Sequence, residues 1–126
     1  MDHQFNITRI KAVYNALPYE IDKKHVVKIL QPVFFLATKL EAFKDRGQND
    51  GRTSKDFEDI VFLMESRQSI WKELVLTSGE LREYLIGEFR RWMKNPSFEE
   101  WIDCHVEQGS PKATYFIMEE LTKVIA

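Results

Sequence analysis

The sequence predicts a mainly α protein with a small N-terminal β-hairpin, an α+β class in which a helical bundle makes up most of the chain. The chain has 126 residues, enough for one compact domain and too few for two ordinary ones. Hydrophobic residues make up 44% and charged residues 30%, a balance that is typical of globular rather than disordered chains. From residue 32 onward, apolar residues recur at three- and four-residue spacing, which indicates amphipathic helices.

The first thirty residues have no clean helical period. Apolar residues within 7–17 suit a short helix that Pro18 ends. The segments 19–21 and 25–30 are rich in β-branched residues and flank three polar residues, which predicts a small β-hairpin. We therefore expect a single domain over 1–126, with the short helix and hairpin in residues 1–30 and the helical bundle in residues 31–126.

Two helices are predicted next, joined by a polar loop. The first spans 32–46, with a proline at its favourable first position, and Gly47 ends it. The second spans 54–66, and Thr53 or Ser54 caps it, because a hydroxyl can accept a hydrogen bond from the first free backbone N–H groups.

Four further helices complete the predicted bundle. A short helix covers 70–76, and residues 77–80 have the form of a capping box that opens a long helix ending at Lys94. Asn95-Pro96 and Ser110-Pro111 each start another helix, since proline is favoured in the first helical turn. The aromatic and methionine residues at helical spacing are interpreted as core.

Composition and charge exclude several classes of function. The 18 Lys and Arg residues against 20 Asp and Glu give a net charge of −2, so the chain has no general attraction for nucleic acid or an anionic membrane. Cys104 is the only cysteine, which excludes an internal disulfide and a thiolate zinc cage. The N-terminal residues lack the blocks of a signal peptide, and no apolar run approaches the ~18 residues of a membrane span. We expect a cytoplasmic protein.

Four charged residues lie on the wrong face of their helices. At 100° per residue, Lys39 and Arg46 fall inside the apolar arc of the helix 32–46. On the following helix Asp56 falls inside the apolar arc, and Asp59 lies at its edge. An unpaired buried charge is strongly unfavourable, so these side chains should face one another or face a ligand.

Two interpretations of the four charges stay open. In one, the cations and carboxylates form an interhelical ion-pair lattice that fixes how the helices dock. In the other, the cations hold phosphate in a cleft and the carboxylates orient them or join a metal site. The loop from Gly47 to Gly51 does not decide between them, because it matches neither a phosphate-binding loop nor an EF-hand.

A basic cluster near the end of the long helix has a simpler interpretation. Arg90, Arg91 and Lys94 complement the negative end of the helix dipole. We do not expect this cluster, with Arg82, to bind nucleic acid, since no aromatic platform accompanies it.

The residues 32–67 resemble a known family. The pattern Phe-Leu-Ala-Thr-Lys-Leu-Glu-Ala-Phe, then Arg-Gly, then Ser-Lys-Asp-x-Glu-Asp-Ile is similar to the second half of bacterial nucleotidyltransferases of the AbiEii/AbiGii toxin type, in the DNA polymerase beta-like superfamily. The phrase LREYLIGEF further along the chain is similar as well. The resemblance implies that Lys39 contacts nucleotide phosphates and that Asp56 belongs to the catalytic set. Arg46 and Asp59 are the second candidates for these two roles.

The sequence departs from this family in one important respect. Family members carry a Gly-Ser segment followed by two aspartates, with a third aspartate on a neighbouring strand, and these hold the metal ions. Here Gly-Ser occurs only at Gly109-Ser110, and Asp2 and Asp22 are isolated, so no metal ligand is predicted in this chain. Without those ligands, the metal-dependent transfer of a nucleotidyl group is not expected from this chain alone.

The resemblance and the departure together predict a truncated, nucleotidyltransferase-like protein. We expect it to need no cofactor alone and to form a homo-oligomer or bind a partner, such as the missing nucleotidyltransferase half or an antitoxin. The alternative is half of a split nucleotidyltransferase that, once completed by a partner, uses Mg²⁺ and NTP to transfer NMP to RNA or protein.

Overall fold

The computed structural model describes residues 23–107 and 111–126, and within these ranges the chain is mainly helical, with no strand. Their helices are α1 (Lys23–Arg46), α2 (Lys55–Ser66), α3 (Ile70–Leu76), α4 (Gly79–Lys94), α5 (Phe98–Asp103) and α6 (Pro111–Ile125). None of these helices is long and apolar enough to cross a lipid bilayer.

The predicted helices are confirmed from residue 32 onward, with small differences at their ends. The largest difference is in α1, which begins at Lys23 and contains Pro32 in its interior. The segment 25–30 is therefore helical, and its prediction as the second strand of the hairpin is wrong. The β-branched residues that suggested a strand are tolerated in a helix, because their preference is weak and context overrides it. The first strand at 19–21 and the short helix at 7–17 lie outside the described residues.

Local capping explains where α2 and α4 begin. The Ser54 hydroxyl accepts a hydrogen bond from the backbone N–H of Phe57 at 3.1 Å, so Ser54 is the N-cap of α2. At the start of α4, the capping box predicted over residues 77–80 does not form. The N-cap is Ser78, whose side chain makes no capping hydrogen bond, and the Thr77 hydroxyl donates to the Glu73 carbonyl instead.

The first two helices form an antiparallel pair. Contacts run from Arg46 against Asp56 back to Lys39 against Asp59, so residues earlier in α1 meet residues later in α2. The loop between them turns through Gln48 and Asn49, which both have positive φ. Gly51 anchors this loop, because its Cα packs so closely on the Trp101 ring that a Cβ would lie 2.8 Å from ring carbons.

The core is rich in aromatic residues around Phe57. Its ring centroid lies 5.4 Å from that of Phe43, 5.3 Å from that of Trp92 and 5.6 Å from that of Trp101. Such tilted and edge-to-face contacts add to the stability that burial provides. The last helix, α6, closes the bundle by packing on α2, α3, α4 and α5.

Candidate functional site: a charge clamp between the first two helices

The four side chains singled out in the sequence lie together at the seam between α1 and α2. We call Lys39, Arg46, Asp56 and Asp59 the charge clamp. Lys39 and Arg46 lie two turns apart on α1, and the two aspartates lie at the start of α2. Because Phe57 is locked into the core, its neighbour Asp56 is held against α1.

The charge clamp is a chain of direct ion pairs. The Arg46 Nε and Nη2 atoms donate to the two oxygens of Asp56 at 2.8 and 2.9 Å, which is the bidentate geometry that suits a guanidinium. The Lys39 Nζ atom lies 2.8 Å from Asp59 Oδ2 and 3.6 Å from Asp56 Oδ1. Lys39 thus joins the two aspartates, and the four residues form one connected set.

Exposure differs sharply along the clamp. The Asp56 side chain is 5% exposed, whereas the side chains of Lys39 and Arg46 are 24% and 68% exposed. The buried carboxylate is therefore the anchor, and the two cations reach it from the solvent side. Burial of a carboxylate is tolerated here because two N–H donors and a nearby ammonium compensate its lost hydration.

The pairing keeps all four groups charged at neutral pH. The hydrogen bonds from Arg46 hold the pKa of Asp56 below its usual range despite burial, and the Lys39 ammonium lowers the pKa of Asp59 in the same way. The carboxylates in turn raise the pKa values of Lys39 and Arg46. Two positive and two negative charges face each other, so the cluster has no net charge.

Neighbouring groups extend the clamp at its exposed edge. The Lys39 Nζ atom lies 5.6 Å from the centroid of the Phe35 ring, a cation–π contact, and the Lys55 Nζ atom lies 3.5 Å from Asp59 Oδ1. Lys39 therefore has an aromatic face on one side and two carboxylates on the other. Chemically, this arrangement fixes the register of two helices, and both carboxylates of the clamp are bonded to its cations.

The possible metal ligands are not gathered at one place in the described residues. Among the residues that the structure describes, no group of three or more His, Cys, Asp or Glu side chains is placed to hold a metal ion. The adjacent Cys104 and His105 do not act together, since the His105 Nε2 atom is hydrogen-bonded to the Gly51 carbonyl at 2.7 Å.

The basic cluster of α4 is largely engaged within the fold. Arg91 donates to the Glu88 carboxylate at 3.0 Å, Arg90 to the Ile125 carbonyl at 3.1 Å, and Arg82 to the Leu74 carbonyl at 3.3 Å. Arg90 therefore ties α4 to α6 and Arg82 ties it to the end of α3, while the bond from Arg91 lies within α4.

Two buried carboxylates were not predicted from the sequence. Glu73 and Glu88 are each 6% exposed. Arg67 binds Glu73 with two hydrogen bonds of 3.0 and 2.8 Å, and Glu88 lies 3.1 Å from Lys44, which joins α4 to α1. The helical-wheel argument that found Asp56 would have found Glu88, which falls beside Trp92 on the apolar arc of α4. No comparable signal marks Glu73, whose partner comes from the preceding loop.

The chain matches no family model, no curated protein and no solved structure. The similarity to AbiEii/AbiGii nucleotidyltransferases therefore rests on the sequence pattern of residues 32–67 and stays a prediction.

Proposed function

We propose that this chain is a cytoplasmic, nucleotidyltransferase-like helical module that does not catalyse by itself and acts by associating with a second polypeptide. The observation that carries the proposal is that the four side chains of the charge clamp are paired with one another. The cations that the family pattern assigns to the nucleotide are paired with the aspartates of the same pattern.

A phosphate group would compete directly with these pairs. The Nε and Nη2 atoms of Arg46 are bonded to Asp56, so a phosphate that took this bidentate position would have to displace a carboxylate whose side chain is 5% exposed. The displaced carboxylate would then be buried without its bidentate partner, which should cost about 2–3 kcal/mol here because Arg46 is largely exposed. The clamp therefore favours a structural role in the isolated chain, in which it sets how α1 and α2 dock.

Exposed apolar side chains support the association part of the proposal. Large apolar residues with more than two fifths of their surface exposed occur on four helices: Phe35, Phe62, Val75, Leu76, Tyr115 and Phe116. Exposed apolar surface that is contiguous is a common mark of protein interaction sites. Phe35 and Phe62 flank the clamp, one turn before Lys39 and one turn after Asp59, and the other four lie on α3 and α6.

Label transfer tests the catalytic half of this proposal. The full chain is incubated with Mg²⁺, each α-labelled NTP and total RNA as acceptor, beside Lys39→Ala and the matched control Lys94→Ala, an exposed lysine on α4 outside the clamp. We expect no label in RNA or protein with any of the three chains. Any transfer by the wild-type chain would contradict the proposal, and transfer that Lys39→Ala abolishes and Lys94→Ala retains would assign it to the clamp.

A second candidate function is favoured by the position of Lys39. Its side chain and that of Asp59 are 24% and 27% exposed, so this end of the clamp is accessible to a docking protein. We propose as the alternative that a partner carrying the metal-binding aspartates completes a split nucleotidyltransferase here. The same assay with the product of the adjacent gene present is the test: Mg²⁺-dependent transfer that needs Lys39 supports the split enzyme, and no transfer refutes it.

A further inference from the structure

The outer face of α6 carries charges arranged symmetrically about an exposed aromatic residue. Lys112, Phe116 and Glu120 follow one another at four-residue spacing and therefore lie along one stripe of the helix. Phe116 is 43% exposed at the centre of this stripe. A positive charge lies one turn before it and a negative charge one turn after it, about 12 Å apart along the helix axis.

Open grooves lie on both sides of this stripe. One, of about 750 Å³, is lined by the stripe on one side and by Trp71 and Lys72 of α3 on the other. The other, of about 500 Å³, runs between Phe116 and Met93 at the end of α4. The stripe is thus a ridge between two grooves, which is the shape that helix packing uses when ridges of one surface enter grooves of another.

The groove beside α3 has an apolar wall and a mixed rim. The Trp71 and Phe116 rings meet edge to face with their centroids 6.1 Å apart. Lys72 and Lys112 make no ion pair with any other residue in the described part of the chain, while Glu120 pairs only with Lys123, one turn away, at 3.1 Å. The face therefore has two lysines without an ion pair in the described part of the chain, an aromatic centre, and a Glu120 carboxylate that is 19% exposed and pairs with one neighbouring lysine.

We propose that this face, the α6 ridge with its adjoining grooves, binds a second copy of the same chain about a two-fold axis that passes near Phe116. A two-fold interface brings the same patch together in opposite directions, so each residue must suit its own counterpart. With two α6 helices antiparallel, Lys112 of each copy faces Glu120 of the other, and the Phe116 rings meet at the centre.

The distribution of charge favours a second copy over other occupants. The groove beside α3 has Lys72 and Lys112 against Glu65 and Glu120, so its net charge is zero, and Glu119 in the other groove gives the whole face one net negative charge. A polyanion such as RNA would meet these glutamates, and a simple anionic ligand would gain little from this balance of charge. Only a partner with the reversed order of charges satisfies both ends, and a rotated copy of this chain has that order.

This inference rests on the proposed association and specifies its partner. The test uses sedimentation velocity of the full chain over a concentration series from about 1 μM to 1 mM, a range that brackets a weak dimer. In the Lys112→Glu variant, two glutamates face each other at both ends of the antiparallel pair. In the Glu120→Lys variant, two lysines face each other there. We expect either substitution to raise the dimer dissociation constant at least about tenfold.

Combining the two substitutions separates a two-fold interface from any other. The double variant Lys112→Glu with Glu120→Lys restores opposite charges at both ends, so we expect its dissociation constant to return to near the wild-type value. An equimolar mixture of the two single variants should also dimerise, because each then faces its complement. Glu83→Lys makes the same charge change as Glu120→Lys on another face, at an exposed residue outside the charge clamp, and is the control. Circular dichroism checks that every variant is folded.

The outcomes distinguish this inference from the broader proposal. A wild-type chain that stays monomeric at every concentration would overturn the two-fold dimer and leave the face to a different partner. A dimer that Lys112→Glu and Glu120→Lys do not weaken would also overturn it, although the association of the chain would then stand. Failure of the double variant and of the mixture to dimerise, with folded proteins, would show that the charges do not face each other.

Discussion

Removal of the buried Asp56 carboxylate should clearly destabilise the protein. Asp56→Ala deletes two charge-assisted hydrogen bonds from Arg46, of 2.8 and 2.9 Å, and the weaker contact with Lys39. Such bonds are worth about 1.5–3 kcal/mol each when buried, but exposed ion pairs contribute about 1 kcal/mol or less. Because the carboxylate is buried and Arg46 is largely exposed, we expect a total loss of about 2–3 kcal/mol.

Urea denaturation followed by circular dichroism measures this loss directly. For a chain of this size, a loss of 2–3 kcal/mol corresponds to a fall in Tm of about 10 °C. Glu58→Ala is the matched control, since Glu58 lies on the same helix, is half-exposed and pairs only with Lys55 at 3.3 Å. It should cost well under 1 kcal/mol. Equal losses for the two variants would refute the claim that Asp56 anchors α1 to α2.

Other predictions concern acid stability and the loop. The folded-state pKa values of Asp56 and Asp59 lie below their unfolded values of about 4, so the unfolded chain takes up protons first as pH falls. The stability that these two carboxylates contribute is therefore fully present above about pH 5 and is lost on further acidification. In urea titrations from pH 7 to about pH 3, Asp56→Asn should reduce the dependence of the free energy of unfolding on pH. Gly51→Ala forces a Cβ to within 2.8 Å of Trp101 and should cost about 1–3 kcal/mol. Gly87→Ala, where a Cβ meets nothing within 4 Å in a helix, should instead stabilise by about 0.5–1 kcal/mol; a rise in stability for the Gly51 variant would contradict the loop packing.

The sequence was most informative where local chemistry decides the structure. The helix α3 is predicted to the residue, and the starts of α2 and α6 follow from a capping serine and from a proline in the first turn. The charge clamp was also predictable, because helical spacing placed its cations and carboxylates on apolar faces. Spacing could name these four residues but could not choose between mutual pairing and a phosphate site, since both need the same residue types.

The errors arose where local preference is a weak guide to the structure. Val26, Val27 and Ile29 have strand preferences, yet they lie in α1, which extends nine residues before the predicted start. Pro32 favours a first helical position, but here it lies in the interior, where it gives up one backbone hydrogen bond. The role of Glu73 depends on Arg67 across a turn, and no helical period connects those two residues.

The central claim is that the charge clamp holds two helices together instead of holding a nucleotide. A double-mutant cycle of Arg46→Ala and Asp56→Ala, measured by urea denaturation with and without Mg²⁺ and NTP, tests it most directly. We predict that the double variant loses clearly less stability than the two single losses added together, and that Mg²⁺ with NTP leaves the wild-type stability unchanged. Additive losses, or a wild-type stability that rises with NTP concentration, would contradict the claim.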